Sequence, residues 1–268
     1  MTARAIPALI DGVIQRIRAR NHDGTALIGV GGAQGSGKSY QCRLLEAANR
    51  GRYAHFSLDD IYLTRAERAQ MAADFHPLCI TRGPPGSHDL DLADVTIGAL
   101  ETAGPHARTP LPRFDKRKDD RAPIASWPVF VGRPEAVIVD GWLMGALEMD
   151  EAQFEPPLNE LEAEEDPAGR WRGFSLSLLA TDYARFFDAF DGLIYLQAPN
   201  WEIVRRWRGQ QEEETLGRPL TDDENLALDR FVMHYERVTR AMLEGHHRAQ
   251  WIVHLDEARN VVRVEERR

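Results

Sequence analysis

Cysteine is scarce, long apolar runs are missing and positive charge is not in excess, and each shortage removes a class of protein. Only Cys42 and Cys79 occur in 268 residues; they have no metal-type spacing and are too few to staple a small secreted fold, so both read as reduced thiols. No apolar stretch approaches the roughly 20 residues that cross a bilayer. At the start of the chain Asp11 and Arg16 follow closely on a short apolar stretch, which leaves no signal-peptide core. The expectation is a cytoplasmic chain with no membrane partner. A formal net charge of -9 argues against general nucleic-acid binding, because phosphate backbones are held by Lys and Arg.

What is present suits a packed fold. Charged residues make up 28% and hydrophobic ones 43%, proportions of an ordinary globular protein. The length fits one domain with insertions, residues 1–268. Ile6, Leu9, Ile10, Val13, Ile14 and Ile17 recur at steps of three and four, which predicts a helix from about Thr2 to Arg20. Five short apolar runs read as strands: Ala26 to Gly32, Tyr53 to Leu58, Ala136 to Val139, Leu193 to Leu196 and Trp251 to Leu255. Helical patterns between them, at Ser39 to Arg50 and Trp201 to Glu214, give a βα alternation. That predicts an α/β fold with a mostly parallel five-stranded sheet and helices on both faces. Acids at strand ends then gather at the sheet edge where ligands bind.

Between the second and third strands, Thr81 to Pro134 is rich in Pro, Gly, Arg and Asp, with one clear helical piece at Leu90 to Thr102. A loop this long is uncommon unless functional, so residues 61–135 are read as a substrate-binding insertion. The acidic segment Glu148 to Arg170 reads as a solvated loop or surface helix, not a site.

Gly32-Ala33-Gln34-Gly35-Ser36-Gly37-Lys38-Ser39 satisfies the phosphate-binding loop pattern and lies between a predicted strand and a predicted helix, as that motif requires. Glycines let backbone N–H groups turn around a phosphate, and the helix that follows presents its positive end to the same anion. Lys38 would pair with the β and γ phosphates of ATP, and Ser39 would ligate Mg²⁺. A glycine turn without a ligand would leave Lys38 unexplained. The nucleotide-binding set is therefore Gly32, Gln34, Gly35, Ser36, Gly37, Lys38 and Ser39, with Tyr40 directly after, inside a core spanning 25–60.

A phosphate loop does not by itself separate kinases from other NTPases. Asp59 and Asp60 close the second strand, where a carboxylate could accept the proton of an acceptor hydroxyl; the same pair equally suits a helix cap or turn. Asp140, ending the third strand before Gly141, is placed to serve Mg²⁺ or its water shell, or again to make a turn. Arg82-Gly83-Pro84-Pro85-Gly86-Ser87-His88-Asp89 joins a rigid turn to a cation, an imidazole and a carboxylate. Arg113, Lys116, Arg117, Lys118 and Arg121 form a basic cluster that, in an acidic chain, points to an anionic small-molecule substrate; a solvated basic loop is the alternative. Arg205, Arg206 and Arg208 lie on a predicted helix within a candidate lid at 198–220, where an arginine could cover the phosphates or merely face solvent.

Together the phosphate loop, Ser57-Leu58-Asp59-Asp60-Ile61-Tyr62-Leu63-Thr64, Arg82-Gly83 with Gly86-Ser87-His88-Asp89, Pro112-Arg113-Phe114-Asp115-Lys116, Asp140-Gly141-Trp142 with Gly145, and Arg206-Trp207-Arg208 resemble the plant and fungal type of D-glycerate 3-kinase. That family is a relative of phosphoribulokinase, uridine kinase and pantothenate kinase. The resemblance runs from about Ile28 to Tyr235. It implies a three-layer P-loop NTPase fold and transfer of phosphate from ATP, with Mg²⁺, to the 3-hydroxyl of D-glycerate.

Mapped on this chain, the resemblance makes Asp59 the base, within reach of the metal, with Lys38 and Arg208 also at the chemistry. Asp60 becomes a metal-shell or positioning residue at the acceptor, and Tyr62, Arg82, His88, Asp89, Lys116 and Arg121 complete the acceptor grip. Asp140 stands where the family usually has Glu, and the segment from Lys116 to Arg121 is compressed and lacks the expected glycines. The same chemistry on pantothenate, a nucleoside or a sugar phosphate is the nearest alternative, and a regulatory ATPase the next.

Overall fold

Apolar runs become parallel strands when both their faces are covered, and that is the fate of the five runs read above. The computed structural model describes residues 5–20, 24–150 and 155–267. In chain order, α1 (Ala5–Arg20), β1 (Ala26–Gly32), α2 (Lys38–Ala48) and β2 (Tyr53–Ser57) come first. The segment that follows holds α3 (Arg65–Asp74), α4 (Leu90–Glu101), β3 (Arg108–Pro110), β4 (Phe114–Asp115), β5 (Asp120–Arg121) and β6 (Val129–Val131). Then come β7 (Ala136–Gly141), α5 (Glu160–Glu165), α6 (Arg170–Ser177), α7 (Asp182–Asp188), β8 (Gly192–Gln197), α8 (Trp201–Leu216), α9 (Asp222–Leu243), β9 (Trp251–Leu255) and β10 (Val261–Glu266).

The central sheet has the order β10-β9-β8-β1-β7-β2. All its pairings are parallel except β10 on β9. It therefore has six strands where five were expected. The extra one, β10, lies at the sheet edge with four of its six residues exposed and none buried, and its Val-Val-Arg-Val-Glu-Glu carries no continuous apolar run.

Strand residues alternate between two cores. Leu27, Val137, Val139, Phe56, Leu193 and Tyr195 face one side, packed with Tyr183, Phe186 and Phe187 of α7 and Tyr235, Val238 and Met242 of α9. Ile28, Val30, Ile138, Ile194 and Leu196 face the other, against Ile6, Ile10, Val13, Ile14 and Ile17 of α1, Cys42 and Leu45 of α2, and Ile203, Val204 and Trp207 of α8. Helix α1 thus buries the isoleucine stripe; its predicted start at Thr2 lies outside the described residues. No described helix is long and apolar enough to cross a membrane.

Register places the site. Val30 and Ser57 both lie opposite Asp140, so the ends of β1, β7 and β2 deliver the loop after Gly32, Asp140 and Asp59–Asp60 to one edge of the sheet. Of the two readings of the acidic segment, loop or surface helix, the helix is realised in α5; it is not wholly solvated, because Glu162 and Asp166 are buried, Glu162 paired with Arg237 of α9 and Asp166 with Arg172 of α6. Residues 151–154 of that segment lie outside the described residues.

Candidate active site

Gln34, Gly35, Ser36, Gly37, Lys38, Ser39 and Tyr40 line a cavity of about 830 Å³, within the size range of a small-molecule site. Gly32 ends β1 close to Ser36 and does not line it. Gly35 adopts φ +72°, and a Cβ there would fall 2.6 Å from Trp207 Cβ, so only glycine lets the loop crown approach helix α8 so closely. Around the loop, Gln34 Nε2 and Ser36 Oγ are buried with no hydrogen-bond partner among the described residues. Such orphaned donors suit an anionic ligand. Burial lowers the proton affinity of the Lys38 ammonium, with Asp140 and Asp59 acting against that fall. An ammonium so placed is drawn to phosphate oxygens.

Beneath the lysine, Asp140 is fully buried. Its Oδ1 accepts from Ser39 Oγ at 2.6 Å and from Ser57 Oγ at 3.2 Å, and its Oδ2 meets His55 Nε2 at 2.8 Å. Burial favours the neutral acid here, but His55, Lys38 and the Ser39 hydroxyl outweigh it and keep the carboxyl below its usual range. Although burial opposes its charge, His55 is raised to about 9 by the carboxylates of Asp140, in hydrogen-bond contact with Nε2, and Glu46, 3.6 Å from Nδ1, which favours the imidazolium at neutral pH. Burial also pushes the Cys42 thiol well up. With the imidazole protonated and the thiol neutral, the donors left are the oxygens of Ser39 and Asp140, which suit a hard cation such as Mg²⁺ and not a soft metal.

Asp59 and Asp60 part ways. Ser57 closes a capping box over the short 3₁₀ turn Leu58–Asp60, its hydroxyl accepting from Asp59 N while Asp60 Oδ2 accepts from Ser57 N at 3.0 Å. Asp60 then pairs with Arg113 at 3.0 Å and stays out of the cavity. Burial raises its carboxyl despite that partner. Asp59 lines the cavity opposite Lys38. It accepts from Tyr62 Oη at 2.6 Å and pairs with Lys116. Burial would raise its carboxyl, but Lys116 and Lys38 hold it well below the usual range. The turn or cap and the cavity carboxylate are both realised, one by each residue.

Tyr62, Arg82, Lys116 and Arg117 form the cavity wall beyond Asp59. Arg82 is positioned through its backbone. Gly83 stands at φ +115°, where a Cβ would lie 1.9 Å from Tyr235 Oη; its carbonyl accepts from Trp142 Nε1 at 2.9 Å, and the Arg82 carbonyl from Tyr235 Oη at 2.7 Å. Its side chain pairs with Asp119, which also meets Arg68 at 3.0 Å.

Four residues expected at the acceptor do not reach the cavity. Besides Asp60, they are His88, Asp89 and Arg121. His88 is buried, with Nδ1 2.6 Å from Tyr183 Oη and its ring 4.9 Å from that of Tyr62; burial lowers it to about 4. Asp89 caps α4 and pairs with Arg121 at 2.7 Å, and Arg121 also donates to the Tyr62 carbonyl. These three buttress Tyr62 from behind. A motif reading locates such residues in the right block but cannot tell the lining from its support.

Of the three arginines on α8, only Arg208 lines the cavity, paired with Glu212 and lying over the Phe231 ring. Arg205 pairs with Asp229 and Arg206 with Glu257. Sequence reasoning passed over His55, Arg68, Tyr235 and Arg259, all placed by contacts distant in sequence. The one local signal was the Thr64-x-x-Glu67 capping box that starts α3 and sets Arg68 in its first turns.

A phosphate loop on β1 of a largely parallel sheet, sharing one cavity with an acid from the end of β2, two strands away, defines the P-loop kinase class. The chain is 31% identical over 227 residues to a protein described as the uncharacterized kinase mug58 of Schizosaccharomyces pombe, covering 78% of each. No protein-family model matches. Among solved structures, the fold is similar to D-glycerate 3-kinase from Cryptococcus neoformans var. grubii, with TM-score 0.77, 24% identity, and 98% and 99% of the two chains covered. It is also similar to the YGR205w protein, with TM-score 0.70, 22% identity, and 97% and 96% covered. The chain belongs to the family of the kinase mug58.

Proposed function

We propose that this kinase transfers the γ-phosphoryl group of ATP to the 3-hydroxyl of D-glycerate, giving 3-phosphoglycerate. The observation that carries the reading is that Lys38 and Asp59 face one cavity whose far wall is cationic, through Arg82, Lys116 and Arg117. A hydrolytic ATPase has no use for that wall; a small hydroxy acid needs both a carboxylate beside its hydroxyl and a cation for its own carboxylate.

In this reading the loop amides and Lys38 hold the β and γ phosphates, and Ser39 and Asp140 hold Mg²⁺, whose charge neutralises the phosphate oxygens when bound. Arg82 and Lys116 grip the acceptor carboxylate. Asp59, kept ionised, orients the hydroxyl and accepts its proton late, as transfer through a loose transition state allows. Tyr62 fixes that carboxylate by its 2.6 Å hydrogen bond. An acceptor carboxylate that draws Lys116 off Asp59 also raises the basicity of Asp59 at the moment it is needed. Arg208 covers the phosphates from the 198–220 lid, and residues 61–135 serve as the acceptor-binding insertion. Asp60, His88, Asp89 and Arg121 support this wall without touching the substrate.

The test is ADP formation with Mg²⁺ and ATP across a panel of acceptors: D-glycerate, L-glycerate, pantothenate, uridine and ribulose 5-phosphate. D-glycerate is expected to raise the rate far above the acceptor-free background. A panel in which glycerate is silent and another acceptor responds overturns the substrate; a rate indifferent to every acceptor overturns the transferase reading.

A further inference from the structure

The turn between β9 and β10 reaches back over the phosphate loop, and one residue of it makes the contact. Arg259 has φ +64°, a left-handed conformation disfavoured for a residue with a Cβ. The turn holds it there. Arg259 N donates to the Asp256 carbonyl at 2.9 Å, while Asn260 N and Nδ2 donate to the two Asp256 carboxylate oxygens at 2.8 and 3.0 Å. So aimed, Arg259 Nε donates to the Gly35 carbonyl at 2.6 Å, its guanidinium lies 4.8 Å from the Trp207 ring centre, and Nη2 donates to Gln210 Oε1 at 3.1 Å. Trp207, fully buried on α8, returns to the same turn through Nε1, which donates to the Glu257 carbonyl at 2.8 Å.

The atom that Arg259 holds matters. Gly35 C=O and Ser36 N–H belong to one peptide plane, and Ser36 N closes a turn on the Ala33 carbonyl at 3.2 Å. With Arg259 on the opposite end, that plane is fixed at both ends, and so is the crown of the loop that leads into Gly37, Lys38 and Ser39. A peptide free to rotate at Gly35, where glycine offers the widest backbone freedom, would scatter the orientations of the following groups.

We propose that Arg259 is a positioning residue for the nucleotide: it holds the phosphate loop in its binding conformation and ties that loop to the α8 arm carrying Arg208. The proposal rests on the reading of Gln34–Ser39 as the phosphate cradle and goes beyond it, because it assigns nucleotide affinity to the C-terminal hairpin.

The experiment compares the full-length parent with Arg259→Gln, Arg259→Gly and Arg259→Lys by calorimetric titration of MgADP, by KM for ATP and kcat, and by thermal midpoint. Arg259→Gln and Arg259→Gly are expected to weaken MgADP about tenfold and to raise the KM for ATP by a similar factor, with kcat within about threefold. Arg259→Lys recovers part of the loss. Arg259→Gly, which relieves the left-handed backbone, melts no lower than Arg259→Gln while binding as poorly. MgADP affinity within about twofold of the parent in both the Gln and Gly variants overturns the proposal, whatever their melting points. A parent that binds no MgADP sinks the cradle itself, which is a different failure.

Discussion

Asp59 and Asp60 are neighbours of the same chemistry, and the fold sends them to opposite tasks: one into the cavity under two lysines, the other onto Arg113 as a cap. The wall around Asp59 yields two predictions. Lys116→Met removes one cation from the proposed carboxylate grip and is expected to raise the acceptor KM about tenfold or more, with the KM for ATP little changed; steady-state kinetics with each substrate varied separates the two. Gly83→Ala forces a Cβ into Tyr235 Oη at an unfavourable φ. It should lower stability by roughly 2 kcal/mol in urea titration and raise the acceptor KM through the displaced Arg82. Motif spacing makes the placement of Lys38, Ser39, Asp59 and Asp140 legible, because their positions follow from local pattern and strand ends. His88, Asp89 and Arg121 were read as grip, since sequence shows that a block matters but not which of its side chains face inward.

Among elements, one buried guanidinium ties together three parts of the segment between β2 and β7. Arg68, 1% exposed, donates to the carbonyls of Ile80 at 2.6 Å, Asp119 at 2.8 Å and Leu63 at 3.2 Å, so α3, the Pro77–Ile80 turn and the β4–β5 turn share one pin. Arg68→Met keeps the bulk and leaves those carbonyls without their donor. A loss of roughly 3 kcal/mol is expected, with acceptor affinity falling while MgADP affinity measured by calorimetry persists; equal loss of both would show that the segment is not a separate acceptor element. The long stretch was legible as an insertion from its length and composition. Its pin was not, for an arginine in an amphipathic helix looks like any surface cation until the chain closes around it. Strand β10 is illegible for a related reason, as a mostly exposed edge strand carries little of the apolar signal that marks the other five.

At the scale of the whole molecule, burial sets the response to acid. His88, His234 and His247 are all buried, and burial lowers each from 6.5 to about 4. Above pH 6.5 these imidazoles are neutral in both folded and unfolded chains and add no pH dependence. Below it the unfolded chain takes up protons that the folded one refuses, so stability falls as pH drops from 6.5 towards 4, by up to about 1.4 kcal/mol per pH unit for each histidine. The urea midpoint is expected to be clearly lower at pH 5 than at pH 7; equal midpoints would show that these rings are charged in the folded state.

Asp59 is the carboxylate proposed to mediate between the phosphate cradle and the acceptor hydroxyl. Its most direct test follows the γ-phosphate label of ATP in the parent and in Asp59→Asn, at saturating Mg²⁺, with D-glycerate present. The label should appear on the 3-oxygen of glycerate with the parent, and its transfer should fall by about 10² or more in the variant while MgADP affinity stays near that of the parent. Transfer by Asp59→Asn within a few-fold of the parent, or label released only as inorganic phosphate whether or not an acceptor is supplied, would contradict it.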